Sequence, residues 1–347
     1  MRGFKVGVAA LGLMIGVLAV APARAWMRGE VSTLAVLPFA TGSVEGLTVG
    51  PDDNIYVPTF GFNATGALSG NAVLFVIAPS GKIVRQVTIR NSSPHILGLA
   101  FNPVTKALWV LDFGAGNVLN VDPVTGNSSV LAGPIANSGL NALTFDKAGN
   151  GYVSDSFNGV IWKIRSHGGT PEAWSSDPLL GNGGGTLTPP FGANGVGFNN
   201  EGTILFVANT AFHQIIQIPV NHNGTAGTAS IFITGINAPD GIMIDGNDNI
   251  WVCANQEDEV VVVDSTGKVI AKLGDFNGIQ NGIAQGFLFP ASLAFSNDRS
   301  TLYVSNLTLF LPFAGARSAI DSAWTKEVSG GYTVSKLPAQ IPSIPGN

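Results

Sequence analysis

The sequence predicts an all-β fold, a six-bladed β-propeller built from four-stranded antiparallel sheets. Six segments of the 347-residue chain share one pattern: an apolar run, a turn rich in polar residues or Gly, and a strand with an aromatic-Val pair. They recur about every 50 residues, in the range of propeller blades rather than of helical solenoids. The copies read EGLTVGPDDNIYV from Glu45, GLAFNPVTKALWV from Gly98, NALTFDKAGNGYV from Asn141, NGVGFNNEGTILFV from Asn194, DGIMIDGNDNIWV from Asp240 and ASLAFSNDRSTLYV from Ala291.

Each copy predicts the inner two strands of a blade, and the residues that follow it predict the outer two. Most outer pairs are separated by Gly-containing turns, as expected for twisted antiparallel hairpins. They read AVLFVIA with IVRQVTI, NVLNVD with SSVLAG, GVIWKIR with PEAWSS, QIIQIPV with ASIFITG, and EVVVVDSTG with KVIAKLG. The sixth blade is less regular, because residues 307–330 form a long connection in which ARSAIDSAWTKEV predicts a short helix.

A lone strand, VSTLAVLPF at residues 31–39, precedes the first copy and has no partner hairpin beside it. A closed ring needs its first and last blades to be joined, because a free sheet edge invites association with other chains. We therefore expect this strand to complete the last blade next to GYTVSKL, which starts at Gly331.

The N-terminus has the features of a secretory signal peptide. Arg2 and Lys5 precede an apolar run and the small-residue segment ARA, which predicts a signal peptide at residues 1–25 with cleavage after Ala25. An uncleaved anchor is the alternative, and both place the folded part outside the cytoplasm, in the periplasm or secreted. Residues 26–347 then form a single propeller domain, since the repeat covers nearly all of them.

Composition narrows the range of partners. Charged residues make up 11% of the chain, the net charge is -5, and Lys and Arg do not cluster, which argues against nucleic acid. The only cysteine, Cys253, lies on a predicted strand and is expected to be an inert buried thiol. We expect a small-molecule substrate and no stable membrane insertion after signal cleavage.

The first residue of a copy carries a side-chain oxygen in four blades: Glu45, Asn141, Asn194 and Asp240. Gly98 and Ala291 begin the other two copies. Two carboxylates and two amides are hard ligands, so their convergence at the channel mouth predicts a Ca²⁺ site. His and Cys are missing from this ring, which favours Ca²⁺ over Zn²⁺ or another divalent ion. Alternatively, these residues only cap the turns that lead into the inner strands.

Long connections are predicted on the same face of the molecule as the ring. In a propeller, links from second to third strands and links between blades emerge where the inner strands begin. The longest segments are of these two kinds: residues 59–71, 177–192, 275–290 and 307–330. Elaborated loops on a rigid scaffold concentrate binding and catalysis, which favours the functional interpretation of the ring.

Three segments, VEGLTVGPDDNIYV, GANGVGFNNEGTILFVAN and APDGIMIDGNDNIWV, resemble the metal-site motifs of the SMP-30/gluconolactonase/LRE-like proteins and, more distantly, of the paraoxonases. The resemblance implies a divalent ion, usually Ca²⁺, held by Glu45, Asn194 and Asp240, with Asn141 contacting metal or substrate. It also implies hydrolysis of lactones or related esters, with Asp240 as a candidate base.

His95, in SPHILGLAF, is similar to the PHG segment that brings a catalytic His to the paraoxonase site. A general base and a loop His bonded to backbone are both open interpretations. Gluconolactonase-type members carry an Arg and an Asn-Asp pair near the third ring position, whereas this chain reads GLNALTF, which argues against a sugar-acid lactone. The loops TFGF, GFLFP and LFLPF favour a more apolar substrate, unless their side chains only pack the loops.

Two other functions fit the same pattern. A non-catalytic propeller would bind a small molecule or a protein through its top face. A lyase similar to the streptogramin-lyase-like propellers would share the PDG and NIWV repeat elements. Those propellers usually have seven blades and use His and Glu, so six copies favour the hydrolase.

Overall fold

Six inner strands stand side by side around a central channel, and each belongs to a four-stranded antiparallel sheet. The computed structural model describes Gly3 and residues 27–63, 65–185, 187, 189–310 and 322–341. The predicted six-bladed β-propeller is confirmed. The signal-peptide prediction for residues 1–25 falls outside the described residues except for Gly3, and the boundaries of the domain stay predictions.

The first three blades follow one another along the chain. After β1 (Ser32–Leu37), the strands of blade one and of a small inserted hairpin are β2 (Thr48–Val49), β3 (Ile55–Pro58), β4 (Phe62–Asn63), β5 (Gly66–Ala67), β6 (Val73–Ile77) and β7 (Ile83–Thr88). Blade two contains β8 (Ile96–Phe101), β9 (Leu108–Asp112), β10 (Asn117–Val121) and β11 (Ser128–Ala132). Blade three contains β12 (Leu140–Phe145), β13 (Gly151–Asp155), β14 (Val160–Ile164) and β15 (Glu172–Ser175). In blade one, β4 pairs with β5 outside the four-stranded sheet.

The remaining blades repeat this order. Blade four contains β16 (Ala193–Phe198), β17 (Ile204–Asn209), β18 (Gln214–Pro219) and β19 (Ser230–Thr234). Blade five contains β20 (Pro239–Ile244), β21 (Ile250–Ala254), β22 (Glu259–Val263) and β23 (Val269–Leu273), followed by the hairpin β24 (Phe276–Gln280) and β25 (Ile283–Gly286). Blade six contains β26 (Pro290–Phe295), β27 (Thr301–Asn306) and β28 (Tyr332–Pro338). The outer strands predicted for blades one to five are all present.

The N-terminal strand closes the ring, as predicted for residues 31–39. β1 pairs antiparallel with β28, from Ser32 opposite Lys336 to Leu37 opposite Tyr332, and becomes the outer strand of blade six. Leu37 is fully buried among residues of blades one and six. An N-terminal and a C-terminal strand therefore share one sheet, which joins the two ends of the propeller within blade six.

The aromatic residue of the aromatic-Val pair packs between neighbouring blades. Four of these residues contact a Phe on the inner strand of the next blade nearly edge-on, with ring centroids 4.9 to 5.4 Å apart: Tyr56 with Phe101, Trp109 with Phe145, Tyr152 with Phe198, and Trp251 with Phe295. Edge-to-face pairs of this kind add to the free energy gained by burying the rings. The repeat therefore specifies the interfaces between blades as well as the strands within them.

The long connections carry short elements of their own. The connection between β3 and β6 holds one small hairpin, and the connection after β23 holds the other. Residues 177–192 hold 3₁₀ turns at Pro178–Leu180 and Gly183–Gly185. A further 3₁₀ turn spans Phe39–Thr41, and α1 (Ser322–Thr325) lies within the predicted helix, of which residues 316–321 fall outside the described residues. No helix in the described part of the chain is long and apolar enough to cross a membrane.

Candidate metal centre

In five of the six blades the ring residue lies at a register shift at the start of the inner strand, and in blade one Glu45 follows the isolated bridge Val44–Thr59 and precedes β2. In blade three Leu140 pairs with Asp155 and Leu143 with Val153, so Asn141 and Ala142 together face one residue of the neighbouring strand. Blades two, four, five and six show a register shift at the same point. A bulge re-aims a side chain and is common beside active sites. Here it marks the position from which the ring side chains leave the strand.

The register corrects one sequence-based assignment. Ile96 pairs with Asp112 just as Leu140 pairs with Asp155, so the ring residue of blade two is Leu97 and not Gly98. Gly98 occupies the next position, where a Cβ would lie 2.5 Å from the carbonyl oxygen of Asn141 in blade three. Ala291 holds the ring position of blade six, as expected. The ring is thus Glu45, Leu97, Asn141, Asn194, Asp240 and Ala291.

The four predicted oxygen donors are all buried, with 3 to 5% of each residue exposed. Among the described residues, five buried side-chain polar atoms have no hydrogen-bond partner. Three of the five are ring oxygens: Glu45 Oε2, Asn194 Oδ1 and Asp240 Oδ1. Because an unpaired buried oxygen costs free energy, three at one place are the arrangement expected of a site that binds a ligand.

A second layer of polar side chains orients three of the ring residues. Ser156 accepts a hydrogen bond from Asn141 Nδ2 (3.3 Å), and Thr210 accepts one from Asn194 Nδ2 (3.0 Å). Asn255 Nδ2 donates to Asp240 Oδ2 (3.0 Å). The bond to Thr210 fixes the orientation of the Asn194 amide, whose oxygen has no hydrogen-bond partner among the described residues.

Each of these anchors also ties its blade to the next one. The hydroxyl of Ser156 donates to the carbonyl of Ala193 (2.7 Å), and that of Thr210 donates to the carbonyl of Pro239 (2.8 Å). Both carbonyls directly precede a ring residue. The anchors were missed by sequence reasoning, although Ser156, Thr210 and Asn255 recur 15 or 16 residues after their ring partners. That spacing was the available signal.

Glu45 and Asp240 influence each other electrostatically. Burial, together with the charge of Asp240, raises the pKa of Glu45 well above its usual value. Burial also raises the pKa of Asp240 to about 8, although the neighbouring amides of Asn194 and Asn255 act to lower it. These interactions bring residues of blades one, four and five to one site. Asn141 holds the ring position of blade three, and it is not among the causes of these two pKa shifts.

The donor set suits a hard divalent cation. Among the described residues, no three His, Cys, Asp or Glu side chains form a cluster that could hold a metal ion. The ring instead offers two carboxylates and the amide oxygen of Asn194, which are ligands of the kind that Ca²⁺ takes, with waters completing its coordination. Cys253 is fully buried, and burial raises its pKa well above the usual value, in agreement with an inert thiol.

His95 lies beside the ring but is held by backbone and aromatic rings. Its Nδ1 lies 2.7 Å from the carbonyl oxygen of Phe60, and its ring stacks on Phe62 at 4.6 Å between centroids. A carbonyl can only accept, so Nδ1 carries the proton in this bond and Nε2 of the neutral ring is left as a proton acceptor. Of the two interpretations of His95, the structure shows the His that is bonded to backbone. A role of His95 as a general base stays a prediction.

The mouth of the channel has a polar half and an apolar half. The positions held by Ser156, Thr210 and Asn255 in blades three to five are taken by Phe60, Phe113 and Leu307 in blades one, two and six. Below the ring, a cavity of about 690 Å³ occupies the rest of the channel and is lined by the residues that follow the ring residues along each strand. The ring residues themselves do not line that cavity.

Fold and site together define a class: six-bladed propellers with buried carboxylates and amides at the mouth of the channel. Residues 189–274, which include Asn194 and Asp240, match the family model described as the SMP-30/Gluconolactonase/LRE-like region. The resemblance predicted from the sequence motifs is thereby confirmed for blades four and five. No curated protein sequence matches the chain significantly.

Solved structures share the fold along almost the whole chain. A gluconolactonase from Xanthomonas campestris is 14% identical over 90% of both chains, with a TM-score of 0.62. Regucalcin from Agrobacterium tumefaciens, described as a calcium-binding protein, is 18% identical over 89% of this chain and 94% of its own, with a TM-score of 0.61. A streptogramin B lyase is 12% identical over 91% of this chain and 100% of its own, with a TM-score of 0.57. At these identities the likeness establishes the fold alone.

Proposed function

We propose that the protein is a metal-dependent hydrolase of lactones or related esters and that its metal is Ca²⁺. The observation that supports this most directly is the group of three unpaired buried oxygens, Glu45 Oε2, Asn194 Oδ1 and Asp240 Oδ1. Two carboxylates balance the charge of a divalent cation, which would offset the cost of burying them together. The match to SMP-30/gluconolactonase/LRE-like proteins supports lactones as the substrate class.

In this proposal three ring residues are ligands of the ion, and Asn141 has a separate role. Glu45, Asn194 and Asp240 hold the ion through the three unpaired oxygens. Asn141, whose nitrogen is held by Ser156, lies at the next ring position and would contact either the ion or the substrate. Because the anchors are fixed by the next blade, the ligands are preorganised and little free energy is spent on ordering them when a cation binds.

Hydrolysis adds water across the acyl C–O bond and converts a lactone into a hydroxy acid. The ion, when bound, would polarise the acyl carbonyl and lower the pKa of a water molecule. His95 Nε2 is the group on this chain best prepared to take a proton from that water, because the bond to Phe60 fixes the tautomer. Asp240 is the other candidate base, through a carboxylate oxygen that the ion leaves free.

The test is a metal-replacement assay on the purified protein. The protein is stripped with EDTA and assayed on a panel of aromatic and aliphatic lactones and esters before and after Ca²⁺ is returned, with Zn²⁺ and Mg²⁺ in parallel. We expect activity to disappear with EDTA and to return best with Ca²⁺. If the Ca²⁺-loaded protein hydrolyses nothing in the panel, a non-catalytic binding propeller is the better interpretation. Elimination products in place of hydroxy acids would indicate a lyase.

We also propose that the enzyme acts in the periplasm or outside the cell, which rests on the signal peptide predicted at residues 1–25. N-terminal sequencing of protein recovered from the extracytoplasmic fraction should begin at Trp26. A chain that keeps its first 25 residues and stays with the membrane would support the anchor instead.

A further inference from the structure

Five phenylalanine rings contact one another in series around the mouth of the channel. Their centroids are 4.9 Å apart between Phe62 and Phe60, 5.6 Å between Phe60 and Phe113, 5.5 Å between Phe113 and Phe157, and 5.7 Å between Phe157 and Phe191. We call these five residues the aromatic ridge. The ridge runs from blade one across blades two and three to the start of blade four.

The ridge borders the ring of candidate metal ligands. The ring of Phe157 packs on Gly139, two residues before Asn141, so closely that a Cβ on Gly139 would lie 2.9 Å from it. Phe113 directly follows Asp112, which pairs with the residue before Leu97. Phe191 lies three residues before Asn194. A group bound over the ligands would therefore have aromatic faces beside it on one side only.

Four of the five ridge residues are at least partly exposed, and Phe60 is buried beneath them. Phe157 is 43% exposed, and Phe62, Phe113 and Phe191 are half-buried. Phe289, Leu307 and Leu309 have 0, 8 and 3% of their surface exposed and form a buried cluster with Phe60, on which Phe62 and Phe113 pack. Phe60 and Phe62 belong to the TFGF segment that the sequence singled out, whereas Phe113, Phe157 and Phe191 come from segments that it did not single out.

We propose that the aromatic ridge determines substrate specificity by binding an aryl or alkyl substituent of the lactone or ester. This inference rests on the hydrolase function proposed above. The reacting carbonyl would lie over Glu45, Asn194 and Asp240, and the substituent would extend over blades two and three. A polyhydroxylated substituent would lose hydrogen bonds to water against phenyl rings, which disfavours sugar lactones. Binding of such a substituent would give the exposed aromatic surface a function, since exposed apolar patches commonly mark binding sites.

The test compares two lactones that differ only in a phenyl group, γ-butyrolactone and γ-phenyl-γ-butyrolactone. The wild-type, metal-loaded protein should have the higher kcat/KM for the phenyl lactone. Phe157→Ala should lower this preference about tenfold, a usual effect of losing apolar contact in a pocket. The control is Phe212→Ala, because Phe212 is 44% exposed and lies in blade four outside the ridge. An equal loss on both lactones in Phe157→Ala would overturn the inference.

A binding measurement separates this inference from the proposed function. Saturation-transfer NMR with γ-phenyl-γ-butyrolactone and EDTA-treated protein requires no turnover. The phenyl protons should receive saturation from the wild-type and Phe212→Ala proteins, and about tenfold weaker binding should follow from Phe157→Ala. If neither lactone is hydrolysed, the proposed function fails and this measurement alone decides the role of the ridge. Undiminished binding to a folded Phe157→Ala protein, checked by its melting temperature, would refute it.

Discussion

Glu45 and Asp240 place two carboxyl groups in one buried site, which costs free energy whenever both are ionised. Asn255 donates one hydrogen bond to Asp240, but Asp240 Oδ1 and Glu45 Oε2 have no hydrogen-bond partner in the described part of the chain. A cation that binds the folded protein would offset this cost and stabilise it by mass action. The proposed metal site can therefore be tested through stability, without a substrate.

Replacing Asp240 by Asn should stabilise the metal-free protein and weaken metal binding. The substitution keeps the shape and an oxygen that can accept from Asn255, and it removes a buried carboxyl group whose ionisation beside Glu45 is unfavourable. In wild type, Ca²⁺ at 100 times its Kd should add about 2.7 kcal/mol to the free energy of unfolding. In Asp240→Asn this increment should be lost. Thermal melts with EDTA and with Ca²⁺ measure both effects, with Asp122→Asn, at an exposed turn, as control. Full retention of the Ca²⁺ increment would refute the ring assignment.

The stability of the metal-free protein should fall as the pH rises. The pKa of Asp240 is about 8 in the folded protein against 3.8 for an ordinary Asp, and the pKa of Glu45 is also raised. Between these values the folded state holds more protons than the unfolded state, so the free energy of unfolding decreases by up to about 1.4 kcal/mol per pH unit for each proton. The contribution of Asp240 to this loss should begin above pH 4 and level off above pH 8.

Urea unfolding in EDTA at several pH values measures this slope, and the difference between wild type and Asp240→Asn isolates the contribution of the site. The slope should be smaller in the variant and in Ca²⁺-loaded wild type. Identical slopes in wild type and Asp240→Asn would mean that Asp240 ionises normally in the folded protein.

At this scale the sequence predicted the acidic and amide donors but not what holds them. Glu45, Asn141, Asn194 and Asp240 could be found because they recur at one position of a visible repeat. Ser156 and Thr210 belong to different residue types and follow a strand whose apolar pattern dominates the signal. Phe157 could not be distinguished from a core aromatic, because exposure depends on how much of the ring the neighbouring blade covers.

Among the secondary-structure elements, the inner strands carry the strictest steric constraint. They approach one another so closely that the position after the ring residue is small in every blade, as Gly, Ala or Ser. A Cβ on Gly195 would collide with the carbonyl oxygen of Asp240, and one on Gly241 would lie 2.5 Å from that of Ala291. These contacts run directly through the backbone of the ring, so a shift in one strand moves the ligands of the next.

Gly195→Ala should destabilise the protein and also weaken metal binding. Overpacking of this kind costs about 1–3 kcal/mol, and here the strand that must move carries Asp240. The matched control is Gly246→Ala, since Gly246 has open space around its Cβ position and no left-handed backbone. The control should stay within about 1 kcal/mol of wild type. Urea unfolding and Ca²⁺ titration provide the two readouts, and a Gly195→Ala protein as stable as Gly246→Ala would show that the strands can separate freely.

The strands themselves were largely predictable, because alternation and turn residues mark both ends of each one. The bulge was not. Apolar residues continue through it in ILGLAF of blade two, where Leu97 precedes Gly98 instead of the acid or amide that precedes Gly in blades one, four and five. Without that polar marker, the register in blade two was assigned one residue too late.

At the scale of the whole molecule, the repeat fixed both the number of blades and the way the ring closes. A chain with six copies and one spare N-terminal strand has few ways to avoid a free edge, and the observed order β1, β28, β27, β26 uses the spare strand for this purpose. What could not be predicted is the division of the mouth into a polar and an apolar half. The two halves differ at one repeat position, and that position can be aligned between the blades only when the strand register of each blade is known.

Ring closure through β1 should dominate the stability of the whole propeller. β1 contributes Leu37, which is fully buried between blades one and six. Arg28, which precedes β1, forms ion pairs with Glu259 (2.5 Å) and Asp275 (2.6 Å). Deleting or shuffling residues 31–39 should therefore lower the melting temperature sharply, because blade six loses its outer strand. In the intact chain, Leu37→Ala should cost about 2–5 kcal/mol, whereas Val36→Ala, at a site 38% exposed, should cost much less. An unchanged melting temperature after deletion would show that the ring closes without this strand.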